Sequence, residues 1–375
     1  MATANLAIQT YFRNLKDPRR APRHLLIDLI VIAICAVICG ANDWQQIVTF
    51  GQQRHAWLQR FLRLPNGIPC HDTFERTFAR LNPRAFAAAF ARWMQALADT
   101  LGVAQIAIDG KTIRGSAACK RGLGPLHLVS AWATQNQLAL GQVAVDGKSN
   151  EITAIPLLLE LLDLHGALVT IDAMGCQKAI AQKIVDGGGN YVLTVKENQE
   201  HLYDDIRQSF IDACDKDFAC LQHDTYETRE HGHGREEYRC YTVLHDTSGL
   251  RKAADWAGLT TIGSCYTERT VDGQTSNALR YFIGSTVADA RFYGQALRHH
   301  WGIENRLHWQ LDVTFREDDS RIQARNGAEN FALLRKLALT LLKRHPAKES
   351  IACKRLHAAL DVNFLHEVVQ QSGNC

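Results

Sequence analysis

Hydrophobic residues recur every three or four positions along the first hundred residues, which is the spacing of amphipathic helices. The segment from Leu25 to Ala41 is apolar all round apart from Asp28. Its longest unbroken apolar run, Leu29 to Cys39, is shorter than the roughly 20 residues that a membrane-spanning helix needs. The pattern therefore predicts a separate all-helical N-terminal unit, no membrane partner, and one helix that is buried on every side.

From Gln105 onward the pattern changes to short runs rich in Ile, Val and Leu that are separated by turn residues. The runs "QIAIDGKTI", "LHLVSAWAT" and "QLALGQVAV" predict three strands joined closely enough to be antiparallel. A helix, the strand "ALVTIDA", a second helix and the strand "NYVLTVK" follow. This order is typical of an α/β, ribonuclease H-like fold, in which the first and fourth strands are neighbours.

An aspartate ends each of these two strands, Asp109 the first and Asp172 the fourth. A single aspartate at a strand end is most often a turn or helix cap. If the strands are neighbours, however, the two carboxylates emerge side by side and repel each other unless a cation lies between them. Mg²⁺ fits this environment, because it binds a few carboxylates together with water and phosphate oxygens.

A site of this kind usually takes a third carboxylate from another part of the chain. The candidate is Glu304 in "HHWGIENRLHW", which shares a predicted helical face with Trp301 and His308. Glu304 could equally be a solvated residue or pair with a neighbouring arginine. Asp312 and Glu317 follow in the same segment, so spacing alone leaves the choice of the third acid open.

A β-rich block between about residues 220 and 285 interrupts the α/β pattern, and it is interpreted as an inserted subdomain. We therefore expect four parts: a helical N-terminal domain (1–100), the first part of the catalytic core (101–219), the β-rich insertion (220–285), and the last part of the core with C-terminal helices (286–375).

Charge and cysteine content add little to this division. Lys and Arg number 42 against 39 Asp and Glu, but both ends of the chain are basic, which suits a polyanionic partner and is also common in other proteins. The 11 cysteines are scattered and odd in number, which indicates a reducing cytoplasm.

Several longer motifs occur in a fixed order: "NGIPCHDTF", "AIDGKTIRGS", "KSNEITAIPLLLELL", "TIDAMGCQKAIAQKI", "YVLTVKENQ", "HGHGREEYR" and "HWGIENRLHWQLDVTFREDDSRI". Together they closely resemble the H-repeat-associated transposases, a family of bacterial insertion-sequence DDE enzymes. The resemblance extends from about Asp17 to Leu360.

The resemblance implies a retroviral-integrase-type catalytic core in which Asp109, Asp172 and Glu304 are the catalytic, metal-binding triad. It implies Mg²⁺ or Mn²⁺ as cofactor, with two ions per site, and double-stranded DNA as partner, both as element ends and as target. We expect a homodimer paired on two DNA ends, in the bacterial cytoplasm and associated with the nucleoid.

Residues near these motifs are the predicted DNA contacts. The Tyr, Arg and Lys signature that often surrounds the last acid in related enzymes is not matched here, so its phosphate-binding roles are not carried over. The predicted contacts are Lys111, Arg114, Lys196, Asn198, Arg298, His300 and Arg306. Trp301 and Trp309 could stack on a displaced base, although core positions are the preferred interpretation of both.

Two alternatives to a transposase have the same sequence features. A metal-dependent nuclease on the same fold would cut DNA without joining strands. A catalytically retired relative would only bind DNA, although all three acids are present here.

Overall fold

The computed structural model describes residues 7–117, 124–145, 149–219, 221–232 and 234–370. The chain forms two compact units. The first spans the described parts of Met1–Val103, Gly110–Asn150 and Glu304–Cys375. The second spans Ala104–Asp109 and the described parts of Glu151–Ile303. Among the described residues, no helix is both long and apolar enough to cross a membrane.

The helices are α1 (Ala7–Phe12), α2 (Leu26–Ile38), α3 (Trp44–Gln53), α4 (His55–Leu58), α5 (His71–Arg80), α6 (Pro83–Leu101), α7 (Glu151–Leu159), α8 (Lys178–Asp186), α9 (Glu200–Asp215), α10 (Ala290–His300), α11 (Trp309–Val313), α12 (Arg325–Arg344), α13 (Ile351–Leu360) and α14 (Val362–Gln370). The strands are β1 (Gln105–Ile113), β2 (Leu126–Ala133), β3 (Leu138–Ala144), β4 (Leu168–Ile171), β5 (Asn190–Val195), β6 (His223–Gly232), β7 (Arg235–Leu244), β8 (Thr261–Val271) and β9 (Gln274–Gly284).

Helix α2 forms the centre of the first unit, as its all-round apolar sequence predicts. Every residue from Leu29 to Ile38 is fully buried, and α2 packs against α12 near the C-terminal end of the chain. Helices α5 and α6 also contact α12. The N-terminal helices therefore share a core with C-terminal helices of the same unit.

Side-chain caps begin some of the helices, among them α3 and α6. Helix α6 begins after Asn82, whose side chain accepts the backbone N–H groups of residues 84 and 85, and it ends at Gly102, whose φ is 71°. Helix α5 begins at His71, and no side chain caps it.

Each unit has its own part of the β-structure, and β1 belongs to both. The strand order is β3-β2-β1 in the first unit and β1-β4-β5-β9-β8-β7-β6 in the second. Strands β1 and β4 are parallel, and so are β4 and β5. The prediction that the first and fourth strands are neighbours is confirmed.

The sequence predicts that the β-rich block interrupts the α/β pattern. In the structure the block instead extends the sheet. Strand β9 pairs antiparallel with β5 over residues 281–284, and β8, β7 and β6 continue from it. Strand β6 was not anticipated, because its sequence "HDTYETREHG" is polar and largely exposed and lacks the apolar alternation of a half-buried strand.

Helix α10 covers one face of the sheet in the second unit. Its Tyr293 packs with Leu168 of β4, Val192 of β5, Tyr241 of β7 and Phe282 of β9 in one buried cluster. This packing fixes α10 over the strands that end in the candidate site.

Candidate active site

Asp109 and Asp172 are adjacent at the edge of the second unit's sheet where the parallel pairing of β1 and β4 ends. The prediction that Asp109 ends its strand is wrong, because β1 continues to Ile113. The parallel register of β1 and β4 pairs residues 105–108 with residues 168–171 and ends with Ile108 beside Ile171. The next residue of each chain segment is the aspartate, and neighbouring strands lie about 4.8 Å apart. The two carboxylates, both half-buried, therefore emerge side by side.

A short 3-10 turn, Ala173–Gly175, fixes the backbone after Asp172. The Asp172 side chain accepts the backbone N–H of Met174 at 3.1 Å, so this aspartate is also the cap that a strand-end aspartate most often is. A Cβ on Gly175 would overlap the side chain of Ile171 and lie 3.0 Å from that of Ile155 in α7. Only glycine allows α7 to pack this closely on the turn.

The environment of Asp172 raises the pKa of its carboxyl group above the ordinary value. Burial is the largest cause, and the negative charge of Glu151 at the start of α7 acts in the same direction. Hydrogen bonds from the backbone of residues 174 and 175 and the positive charge of Lys196 act in the opposite direction. Negative charge is thus concentrated where the pairing of β1 and β4 ends, and a bound cation would stabilise it.

A chain of buried polar side chains ties α10 to the same face of the sheet. Gln105 of β1 donates to Thr170 Oγ1 at 3.2 Å and to the carbonyl of Ala296 at 2.8 Å. Thr170 Oγ1 lies 3.1 Å from His300 Nδ1. Because residues two apart in a strand share a face, His300 is fixed on the face from which the aspartates emerge.

Two predicted DNA contacts follow β5 at the same edge. Lys196 is exposed and precedes the turn Glu197–Gln199. The side-chain amide of Asn198 donates to the carbonyl of Ala173 at 2.8 Å, so it supports the turn after Asp172. Their contacts with DNA stay predictions.

The C-terminal end of α10 carries further exposed side chains. Arg298 pairs with Glu230 of β6 at 2.5 Å, and the guanidinium of Arg280 lies over the ring of Trp301 at 5.5 Å. Trp301 is 49% exposed, and Trp309 in the first unit is 52% exposed. The preferred interpretation of both tryptophans as core residues is therefore wrong.

Glu304 begins a five-residue π-helical turn, Glu304–His308, in the first unit. Its carboxylate is exposed and lies 3.5 Å from Nδ1 of the buried His308. Turns of this kind are rare and frequently occur at functional sites. The π turn is not predictable from the sequence, because a single turn has no periodicity to detect.

Lys111, a predicted DNA contact, lies instead in an ion-pair network of the first unit. Its ammonium is 2.6 Å from Asp312, 3.0 Å from Glu317 and 3.6 Å from Asp318, and its side chain is only 11% exposed. Arg114 is exposed and lies 3.5 Å from Asp318. DNA contacts by Lys111, Arg114, Arg298, His300 and the exposed Arg306 stay predictions.

The sequence matches known families over most of its length. Residues 104–341 match the family described as "Transposase DDE domain", and residues 9–94 match the family described as "DDE_Tnp_1-associated".

Two curated relatives match this chain over about nine-tenths of their own length. "Putative transposase YncI" of Escherichia coli O157:H7 is 40% identical over 92% of this chain and 90% of its own. "H repeat-associated putative transposase YhhI" of Escherichia coli K12 is 38% identical over 93% of both chains. The cryo-EM structure of a piggyBac transposase synaptic complex with hairpin DNA has a TM-score of 0.44 at 11% identity, covers 98% of this chain and 76% of its own, and supports no conclusion about the fold. On the family matches and these relatives, the chain belongs to the DDE transposases, in the H-repeat-associated group, and is an insertion-sequence transposase.

Proposed function

We propose that Asp109, Asp172 and Glu304 are the catalytic triad of this transposase. The observation that carries the proposal is the parallel register of β1 and β4, which brings the two aspartates side by side. The strand orders β3-β2-β1 and β1-β4-β5, with β1, β4 and β5 parallel, support a ribonuclease H-like catalytic core.

The residues at this edge fit divalent cations. Carboxylate oxygens are the ligands that Mg²⁺ and Mn²⁺ prefer, and the pKa of Asp172 is raised by burial and by the charge of Glu151. Asp109, Asp172 and Glu304 would hold the metal, which we propose to be a pair of Mg²⁺ or Mn²⁺ ions. When bound, such a pair activates a water and stabilises the leaving oxygen of a phosphodiester.

The environments of the two other candidate acids, Asp312 and Glu317, support the choice of Glu304 as the third acid. Asp312 and Glu317 both pair with Lys111, and Glu317 is fully buried. Glu304 is exposed, so its carboxylate is accessible to DNA and metal. The resemblance also aligns the last acid of the family with "WGIEN".

The proposed reaction has two parts. One strand is hydrolysed at each element end, which exposes a 3′-hydroxyl, and that hydroxyl then attacks a phosphodiester of target DNA without a covalent protein intermediate. Two ends must be joined together, so we propose that two copies of the chain pair on DNA. The enzyme would act in the bacterial cytoplasm on nucleoid DNA.

Cleavage of element-end DNA by the purified full-length protein tests the proposal. We expect cutting with Mg²⁺ or Mn²⁺ and none in EDTA. Asp109→Asn and Asp172→Asn should each abolish cutting but preserve DNA binding or tighten it, because each removes a negative charge that would face phosphate. Full cleavage by either variant, or cleavage without a divalent metal, would contradict the triad.

A second assay separates the alternatives. A pre-cut element end with a free 3′-hydroxyl is incubated with plasmid, and joined products are counted. Cutting without joining would identify a nuclease, and DNA binding without either activity would identify a retired transposase.

A further inference from the structure

A polar cavity of about 450 Å³ lies within the first unit, beside the π-helical turn that Glu304 begins. Its walls come from the β2–β3 turn, the π turn with the start of α11, the end of α12, and the start of α13. We call it the basic cavity. The side chains used in the argument are Gln137, Arg306, Gln310, Lys343 and Glu349.

Positive charge dominates the basic cavity. Arg306, Lys343 and Lys354 line it, whereas Glu349 is the one acid among its described lining residues. The carboxylate of Glu349 lies 3.6 Å from Nδ1 of His357, so it has a partner of its own. The Lys354 ammonium donates to the carbonyls of Leu342 and His345, so Arg306 and Lys343 are the cations available to a ligand.

The two available cations line the same cavity. Burial, and after it the positive charge of Arg306, lowers the pKa of Lys343 to about 8. The Lys343 side chain is fixed, because its ammonium donates to Gln137 Oε1 at 2.9 Å and lies 4.8 Å from the ring centre of Trp132. Two positive groups brought together in this way repel each other until an anion lies between them.

The amide side chains around these cations present donors as well. Gln137 uses its oxygen to accept from Lys343, and Gln310 uses its oxygen to accept from Thr314 at 2.8 Å. The NH₂ groups of both amides therefore remain as potential donors toward a ligand. A cavity with few apolar walls, two cations and amide donors suits a phosphate group, whose oxygens only accept hydrogen bonds.

We propose that the basic cavity binds a phosphate of the DNA backbone through Arg306 and Lys343. Arg306 lies two residues after Glu304 on the same π turn, so a phosphate held here belongs to the strand that passes the end of that turn. The inference rests on the proposed function, since it assigns a DNA contact to the same enzyme. It adds Lys343, Gln137 and Gln310, which no motif in the sequence indicates.

Binding of element-end DNA by the full-length protein tests this assignment. Arg306→Gln and Lys343→Gln should each weaken binding about eightfold at about 0.1 M salt and reduce the slope of log K against log salt by about one, as expected for one lost phosphate contact. Arg316→Gln is the matched control, because Arg316 is exposed, bonds to Asp319 and lies outside the cavity. Unchanged affinity and slope in both cavity variants would overturn the proposal.

DNA carrying a single neutral methylphosphonate identifies the phosphate. With the wild-type protein, neutralising one particular backbone position should reduce the affinity for DNA about eightfold. In the double variant Arg306→Gln/Lys343→Gln, neutralising the same position should cause no further loss of affinity, because both cations that contact it are already absent. If the loss of affinity from the substitution and the loss from the neutral phosphate add at every backbone position, the cavity does not contact the backbone and the proposal fails.

Acetylation of Lys343, followed by mass spectrometry, distinguishes DNA from free phosphate as the source. Protection by element-end DNA supports the proposal. Protection by inorganic phosphate but not by DNA, or by neither, overturns it. These outcomes are separate from the triad test: loss of cutting in Asp109→Asn together with an unprotected Lys343 would reject the basic cavity alone.

Discussion

Lys111 and Glu317 form an ion pair that is almost wholly removed from water. The ammonium lies 3.0 Å from the carboxylate, and the two side chains are 11% and 1% exposed. Burial by itself would raise the pKa of Glu317, but the positive charges of Lys336, Lys111 and Arg335 lower it below its ordinary value. Glu317 therefore neutralises a buried cluster of cations and is not part of a solvated acidic turn.

Glu317→Gln should reduce the free energy of unfolding by about 3–5 kcal/mol, because it leaves buried cations without their counter-charge. Urea denaturation at about pH 7 measures the loss. Since the pKa of Glu317 is depressed in the folded state, its contribution is present above the ordinary value of 4.5 and is lost as pH falls through the folded-state value. The difference between wild type and variant should narrow below pH 4.5. A constant difference would contradict the assignment.

Glu304→Gln should remove both strand cutting and strand joining and preserve the fold and end binding. The matched variant is Asp312→Asn, which removes a carboxylate that pairs with Lys111 at 2.6 Å. It should cost about 1 kcal/mol of stability at most, because Asp312 is one-third exposed and Lys111 keeps Glu317. Both activities and circular dichroism are measured for each variant. Activity retained in Glu304→Gln and lost in Asp312→Asn would show that the third acid is Asp312.

Lys343→Met should change how stability depends on pH. The pKa of Lys343 falls from 10.5 to about 8 on folding, so holding its charge in the folded state costs free energy, and the full cost is present below pH 8. As pH rises from about 8 to 10.5, wild type should gain stability relative to the variant. Urea denaturation at several pH values in that range, on both proteins, provides the comparison. Parallel curves would mean that Lys343 titrates normally.

Deletion of residues 1–100 should make the remaining chain insoluble. The deletion removes α2, and the apolar surface of α12 that packs against α2 would face water. A milder variant, Ile34→Ala, should fold but lose about 2–5 kcal/mol of stability, because Ile34 is fully buried in α2. Expression, gel filtration and urea denaturation are the measurements. A soluble, folded chain that begins at Leu101 would contradict the shared core.

The sequence by itself determined the elements that local patterns encode. The run "QIAIDGKTI" predicted β1 with its exact ends, Gln105 and Ile113, and Gly102 marked the end of α6. The order of strands and helices also sufficed to predict that β1 and β4 are neighbours, because short connections permit few topologies. The side-by-side position of Asp109 and Asp172 follows from that order, because each directly follows the apolar residues that pair in the two strands.

Only the tertiary structure decided which distant residues meet. Lys111 was predicted to contact DNA, yet its partners are 201 to 207 residues further along the chain. Helix α12, which packs on α2, lies near the other end of the sequence. Trp301 and Trp309 are large aromatic residues of the kind usually found in a core, yet both are half-exposed. Local sequence patterns predict backbone geometry. Burial and charge pairing depend on contacts between residues far apart in the sequence, and a single sequence does not show which residues make those contacts.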